Sequence, residues 1–112
     1  GGYWASDVLF MTRYFKTVFA DWTGGGAGRT HIRLLLSALL PHPGLETDMD
    51  DPEQNLALQS LPQFCFGTDN PEPDRWVGPS EMILDRLHAG EEIKKRFYYN
   101  NAARMLGMEE VA

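Results

Sequence analysis

Phe64-Cys65-Phe66-Gly67-Thr68-Asp69-Asn70-Pro71 constrains this chain more than any other stretch, because a short apolar run here delivers an acidic side chain to the point where a strand must end. Pro71 lacks the amide that a central ladder needs, and Gly67 lets another backbone or a ligand approach closely. Asp69 is therefore expected on a strand tip or in the loop just after it, where parallel α/β folds keep their chemistry. An aspartate in such a place also serves as a cap or turn former, so the rest of the chain has to decide between the two.

With 112 residues, 43% of them hydrophobic and 12% aromatic, the chain has apolar content for one core. Its length is less than half the roughly 250 residues of a (β/α)8 barrel, so it is one domain or a piece of one. A net charge of −6 argues against nucleic acid as a partner, since phosphate binding needs a clustered basic face. The single Cys65 allows neither an intrachain disulfide nor a cysteine-built zinc site. It reads as a small core residue and fits a reducing, cytoplasmic setting. No apolar run approaches the roughly 18 residues of a membrane span, so a membrane is not an expected partner either. The opening Gly1-Gly2-Tyr3-Trp4 has no signal-peptide character and no initiator Met, as expected of a piece of a longer protein.

Along the chain, Ser6 or Asp7 can cap a helix to about Tyr14 with Val8, Met11 and Phe15 on one stripe. Residues Thr17 to Trp22 read as a buried strand that ends at Thr23 and the glycine run 24–26. Thr30 is the expected cap of an apolar helix, Ile32 to Leu40, dense enough in leucine to lie between layers and closed by Pro41 and Pro43. An acidic connection leads to Asp51-Pro52-Glu53, the signature of a short helix to about Ser60. A second strand is expected over Gln63 to Gly67, then a polar loop, then a helix from Gly78-Pro79 to Gly90. The last helix spans about Glu91 to Leu106, with Ile93, Phe97, Asn101 and Met105 in its stripe and Gly107 as its stop. Helix, strand, helix, strand, helix is the alternation of parallel α/β architecture, and the span between the strands leaves room for a right-handed crossover. Two strands are nevertheless too few for a sheet covered on both faces and both edges, so free edges favour self-association as a homo-oligomer.

Other candidate motifs fail on spacing. Gly24-Gly25-Gly26-Ala27-Gly28-Arg29-Thr30 follows a strand and opens a helix, but one residue is missing from the phosphate-loop pattern and Arg29 replaces its lysine. The acidic run Glu46 to Glu53 lacks both the glycine and the final glutamate of a calcium loop. His31, His42 and His88 share no metal-ligand spacing and read as surface residues. No serine or cysteine beside a base points to nucleophilic catalysis.

The ordered pieces Gly1-Gly2-Tyr3-Trp4, Thr17-Val18-Phe19-Ala20-Asp21-Trp22-Thr23, Phe66-Gly67-Thr68-Asp69-Asn70-Pro71 and Asn101-Ala102-Ala103-Arg104-Met105-Leu106-Gly107 together resemble the C-terminal third of the metal-dependent amidohydrolase superfamily. The branch is the one that includes aminocarboxymuconate-semialdehyde decarboxylase-like enzymes. The departures are Asn70, where an aromatic is common, and the acidic insertion at 41–53.

The resemblance implies the C-terminal part of a (β/α)8 TIM barrel: its last two βα units plus a terminal helix, starting just after strand six. It implies a hydrolase that uses a divalent metal ion, zinc above all, to activate water against an amide, ester or lactone of a small-molecule substrate. Decarboxylation, a lyase reaction, is the nearest rival. In this resemblance Asp69 is the one catalytic and metal-facing residue carried by the chain, and the histidine ligands would lie before Gly1. Trp22, Thr23, Asn70 and Trp76 fall in the loops after strands seven and eight and are expected to contact substrate. Asn101 is expected to cap the terminal helix or cross-link it to the barrel, and Arg104 to be structural. From a different class, the runner-up is a non-catalytic small α/β interaction module, which would have to cap its own sheet edges.

Overall fold

The structure, a computed structural model, describes residues 5–23, 28–68 and 72–111. At its centre two very short strands, β1 (Ala20–Asp21) and β2 (Phe64–Cys65), run parallel with Ala20 opposite Phe64 and Asp21 opposite Cys65. Both are shorter than their apolar runs suggest, because neighbouring backbone groups are spent elsewhere. The Val18 amide donates to the Phe15 carbonyl at 3.0 Å and the Val18 carbonyl accepts from the Gln63 side chain at 3.4 Å, which holds residues 15–18 in a turn. Gln63 itself closes a 3-10 turn, Leu61–Gln63, and the Phe66 amide donates to the Phe97 carbonyl at 2.9 Å instead of extending the ladder.

Helix α1 (Ala5–Tyr14) precedes β1 and turns a different face inward from the expected Val8, Met11, Phe15 stripe. Ala5 and Thr12 are buried and Val8 and Leu9 pack on the core, whereas Met11 and Phe15 stay exposed. Thr12 tolerates burial because its hydroxyl donates back to the Val8 and Leu9 carbonyls at 2.9 and 3.1 Å. Helix α2 (Arg29–Leu39) begins at the extended Gly28 without a side-chain cap, so Thr30 lies within its first turn. It is amphipathic, with Leu35 and Leu39 buried and Leu34 exposed, so it covers the core on one side and does not lie between layers. Leu40 turns to extended geometry, as a residue before proline prefers.

In the acidic connection Asp51 acts as the expected cap, its carboxylate accepting from the Glu53 amide at 2.9 Å, but the helix breaks after one turn. Asn55 is the reason: buried, it gives its side-chain amide to the carbonyls of Met49 and Leu87, both at 2.8 Å, and helix α3 (Ala57–Ser60) starts only beyond it. Helix α4 (Asp74–Arg86) starts before Gly78-Pro79 and carries Pro79 inside it. Its buried stripe, Trp76, Ser80, Ile83, Leu84 and then Leu87, keeps helical spacing across the proline and outweighs the one bond lost there. It ends before Gly90, at His88, which takes the left-handed conformation with φ of 59° while the Ala89 amide returns to the Leu84 carbonyl at 2.9 Å.

The terminal rod consists of α5 (Glu91–Lys95), a π-helical turn (Arg96–Asn100) and α6 (Asn101–Leu106), and stops at Gly107 with φ of 70°. The wider turn rotates the buried face, so that Asn100, Asn101 and Ala103 are inside while Met105 and Leu106, expected in the stripe, are exposed. All these elements close on one cluster in which Trp22, Phe64 and Phe97 meet Leu35, Leu61 and Ile83. Ring centroids lie 4.5 Å apart for Trp22 and Phe97 and 5.7 Å for Trp22 and Phe64. No helix among the described residues is long and apolar enough to cross a membrane.

Candidate active site at the strand ends

Because β1 and β2 run parallel, their carboxyl ends open on the same rim and bring Asp21, Trp22 and Thr23 alongside Phe66, Gly67 and Thr68. The approach is close. A β-carbon at Gly67 would stand 3.1 Å from the Thr23 methyl and 3.7 Å from the Asp21 carboxyl carbon, so glycine here lets the second strand end tuck against the first. Asp21 shapes its own strand end: one carboxylate oxygen accepts from the Thr23 amide at 3.0 Å and from the Thr23 hydroxyl at 2.6 Å. That double bond to one oxygen bends the chain out of the ladder and leaves the carboxylate exposed on the rim.

Asp69 and Asn70, the expected catalytic carboxylate and its neighbour, lie outside the described residues, which reach Thr68 on this side of the loop and resume at Glu72. The other expected contact residues divide. Thr23 is half-buried on the rim with its hydroxyl committed to Asp21. Trp22 is 1% exposed, stacked in the core, and donates its indole N–H to the Ser80 hydroxyl at 3.1 Å. Trp76 is fully buried in the first turn of α4 and not in a loop, and its indole N–H has no partner among the described residues. Both indoles therefore support the rim from below and present no ring face to solvent.

Two rim residues escaped the sequence reading. His31, expected on the surface, is half-buried in the first turn of α2, with Nε2 2.9 Å from the Trp22 carbonyl and its ring edge-on to Trp76 at 5.8 Å. If the ring is neutral, that contact puts the proton on Nε2 and leaves Nδ1 as an acceptor. Asp21 was passed over although it ends its strand as Asp69 ends the other; the same argument from strand position would have found it. His42 and His88 are exposed, as expected, the second with Nδ1 2.9 Å from an Asp50 carboxylate oxygen.

Cys65 lies under the rim, and burial first, then the nearby Asp21 charge, push its thiol up from the ordinary value, with Arg104 opposing. A protonated, buried thiol is a poor nucleophile, in keeping with a core role. Among the described residues no three His, Cys, Asp or Glu side chains come together in a way that could hold a metal ion, so by themselves they do not fit a zinc centre. Among the described residues a cleft lies elsewhere, between α1, the end of α2 and the 40–57 segment. Comparison of the chain with protein-family models, with curated proteins and with solved structures finds no match. The functional reading rests on the residues and their arrangement.

Proposed function

We propose that the chain is the closing portion of a (β/α)8-barrel hydrolase related to the metal-dependent amidohydrolases, acting on an amide, ester or lactone of a small molecule. The supporting observation is the parallel register that sets Asp21 to Thr23 against Gly67 and Thr68, the residue immediately before Asp69. A carboxylate leaving a parallel strand at that rim stands where such folds assemble their reacting groups. In this reading Asp69 accepts and returns a proton, Asp21 fixes the neighbouring strand end through Thr23, and His31 braces the loop above Trp76. A divalent ion, zinc in this reading, would supply a water acidic enough to react near neutral pH, its other ligands coming from strands that precede Gly1. Decarboxylation of a small carboxylic acid is the rival chemistry at the same rim.

A second reading, a non-catalytic α/β interaction module, draws on one observation. The Phe66 amide is taken by the Phe97 carbonyl, so the terminal rod supplies β2 with a partner beyond its own strand pair. Mutation of the complete protein separates the two. Asp69→Asn keeps the shape and removes the charge, and should lower metal-dependent hydrolysis of a panel of chromogenic esters, lactones and amides by a factor on the order of a hundred or more while circular dichroism stays unchanged. Glu72→Gln and Asp74→Asn, in the same loop and the next turn, should cost far less. Equal losses for all three, or activity retained in Asp69→Asn, would withdraw the hydrolase reading. The 112-residue chain alone should bind zinc no more tightly than scattered surface carboxylates do.

A further inference from the structure

The cleft between α1, the end of α2 and the 40–57 segment has a volume of about 450 Å³, within the range of small-molecule sites. Its lining comes from α1, the end of α2 and the segment leading into α3, and does not include Asp21, Thr23, Gly67 or Thr68 of the rim described above. Its walls are mostly apolar, with Leu9, Leu39 and Leu45 among them, and among the described residues no Asp or Glu lines it although the chain carries 16 acidic residues.

Among the described residues one cationic side chain, that of Arg13, contributes to this lining. Its Nε is buried and has no hydrogen-bond partner among the described residues, and the group forms no ion pair there. The guanidinium carbon stands 4.9 Å from the centre of the Tyr14 ring, within reach of a cation–π contact. Across the cleft the Gly44 amide donates to His42 Nδ1 at 3.0 Å, so the neutral His42 ring carries its proton on Nε2 as a second donor. The Nε itself is sealed from solvent, so the two terminal amino groups of the guanidinium, which make no hydrogen bond among the described residues, are the donors left open to an acceptor.

We propose that this cleft binds a small organic monocarboxylate, its carboxylate on the edge of Arg13 and its apolar body among Leu9, Leu39 and Leu45. A single guanidinium fork matches a carboxylate, whereas a phosphate dianion would call for more cations than the lining offers. The site is separate from the strand-end rim, so it holds whether or not the hydrolase reading does.

The test is titration of the 112-residue chain with phenylacetate and with phenylacetamide, the neutral isostere, followed by NMR of the Arg13 Nε–H and the Leu39 and Leu45 methyls. Phenylacetate should bind saturably and about tenfold or more tighter than the amide, the scale of one charge-assisted bidentate contact. Arg13→Gln should erase the preference for the acid, Arg13→Lys should retain part of it, and Ala38→Trp, which fills the cleft, should abolish binding of both. Asp69→Asn should leave binding unchanged. Equal affinity for acid and amide in the unaltered chain, no saturation in the millimolar range, or shifts confined to the strand-end rim would each overturn the proposal, and none of these depends on a variant that fails to fold.

Discussion

Asn101 joins two elements of the fold through a single buried side chain. Buried to 1% exposure, it gives its side-chain amide to the carbonyls of Leu61 at 2.9 Å and Phe64 at 2.7 Å, and so ties α6 to the entry of β2. Of the two roles expected for it, cap or cross-link, this is a cross-link of the terminal helix, made here to the segment around β2. Arg104 is structural in the same sense, its guanidinium bonded to the Pro62 carbonyl and 5.3 Å from the centre of the Phe19 ring. Replacing Asn101 with Leu keeps the volume but removes both bonds, and although the Leu61 carbonyl retains the Phe64 amide as a donor, the loss should cost about 1–3 kcal/mol. Urea unfolding should record that loss, against a change of a few tenths for Glu92→Ala at an exposed position of α5. A midpoint unchanged in Asn101→Leu would mean that the terminal rod is held by its apolar face alone. His88 makes the opposite case: its left-handed backbone with φ of 59° favours glycine, and His88→Gly should raise the melting temperature by a few degrees despite the loss of the exposed Asp50 contact.

At the scale of elements, α4 and the terminal rod are joined by a group of polar contacts whose sign with pH is fixed. Lys94 Nζ stands 2.7 Å from Asp85 and 3.6 Å from Glu81, and the Asp85 hydrogen bond leads the causes that hold its pKa above 10.5. Tyr98 donates its hydroxyl to Glu81 at 3.1 Å, and burial first, then the Glu81 charge, push its pKa well above the ordinary 10.0. Both folded values are raised, so both contributions are complete below the unfolded values and fade as pH climbs from about 10 through the folded values. The melting temperature should therefore fall over pH 10 to 12. Tyr98→Phe should flatten that fall and remove a late phase from the ultraviolet titration of tyrosinate; an alkaline fall unchanged in Tyr98→Phe would assign it elsewhere. Helix positions were largely legible from caps and apolar spacing: Gly107 stops the last helix because it alone can take φ of 70° without strain. The strand lengths were not. Apolar runs such as Thr17 to Trp22 carry no sign that Gln63, distant in sequence, will claim the Val18 carbonyl. Nor could Phe97 be foreseen as the acceptor for Phe66, since it is a π-helical turn that offers that carbonyl to the strand. At the rim, Gly78-Pro79 reads as a helix start and so puts Trp76 in a loop, whereas the buried stripe from Trp76 to Leu87 continues through the proline.

For the molecule as a whole, the balance between buried and exposed apolar groups decides how it behaves in solution. One face of α1 and the turn after it carries Phe10, Met11, Tyr14 and Phe15, exposed by 53%, 41%, 61% and 50%, and nothing in the described chain covers it. The Phe10 and Tyr14 rings stack on each other, with centroids 4.8 Å apart, but leave their outer surfaces to water. β1 adds a strand edge for which the described residues offer no further strand. Together these favour self-association, because burying even half of such a patch against a second copy removes apolar surface from water at about 25 cal/mol per Å². The sedimentation coefficient of the 112-residue chain should rise with concentration, and thermal unfolding should be broad at low concentration. Met11→Glu with Phe15→Lys, both away from the cleft lining, should shift the chain to monomer without unfolding it, since neither side chain is buried. A sharp cooperative melt from a clean monomer in the unaltered chain would make it a self-sufficient domain, and would favour the interaction-module reading over that of a barrel's closing portion.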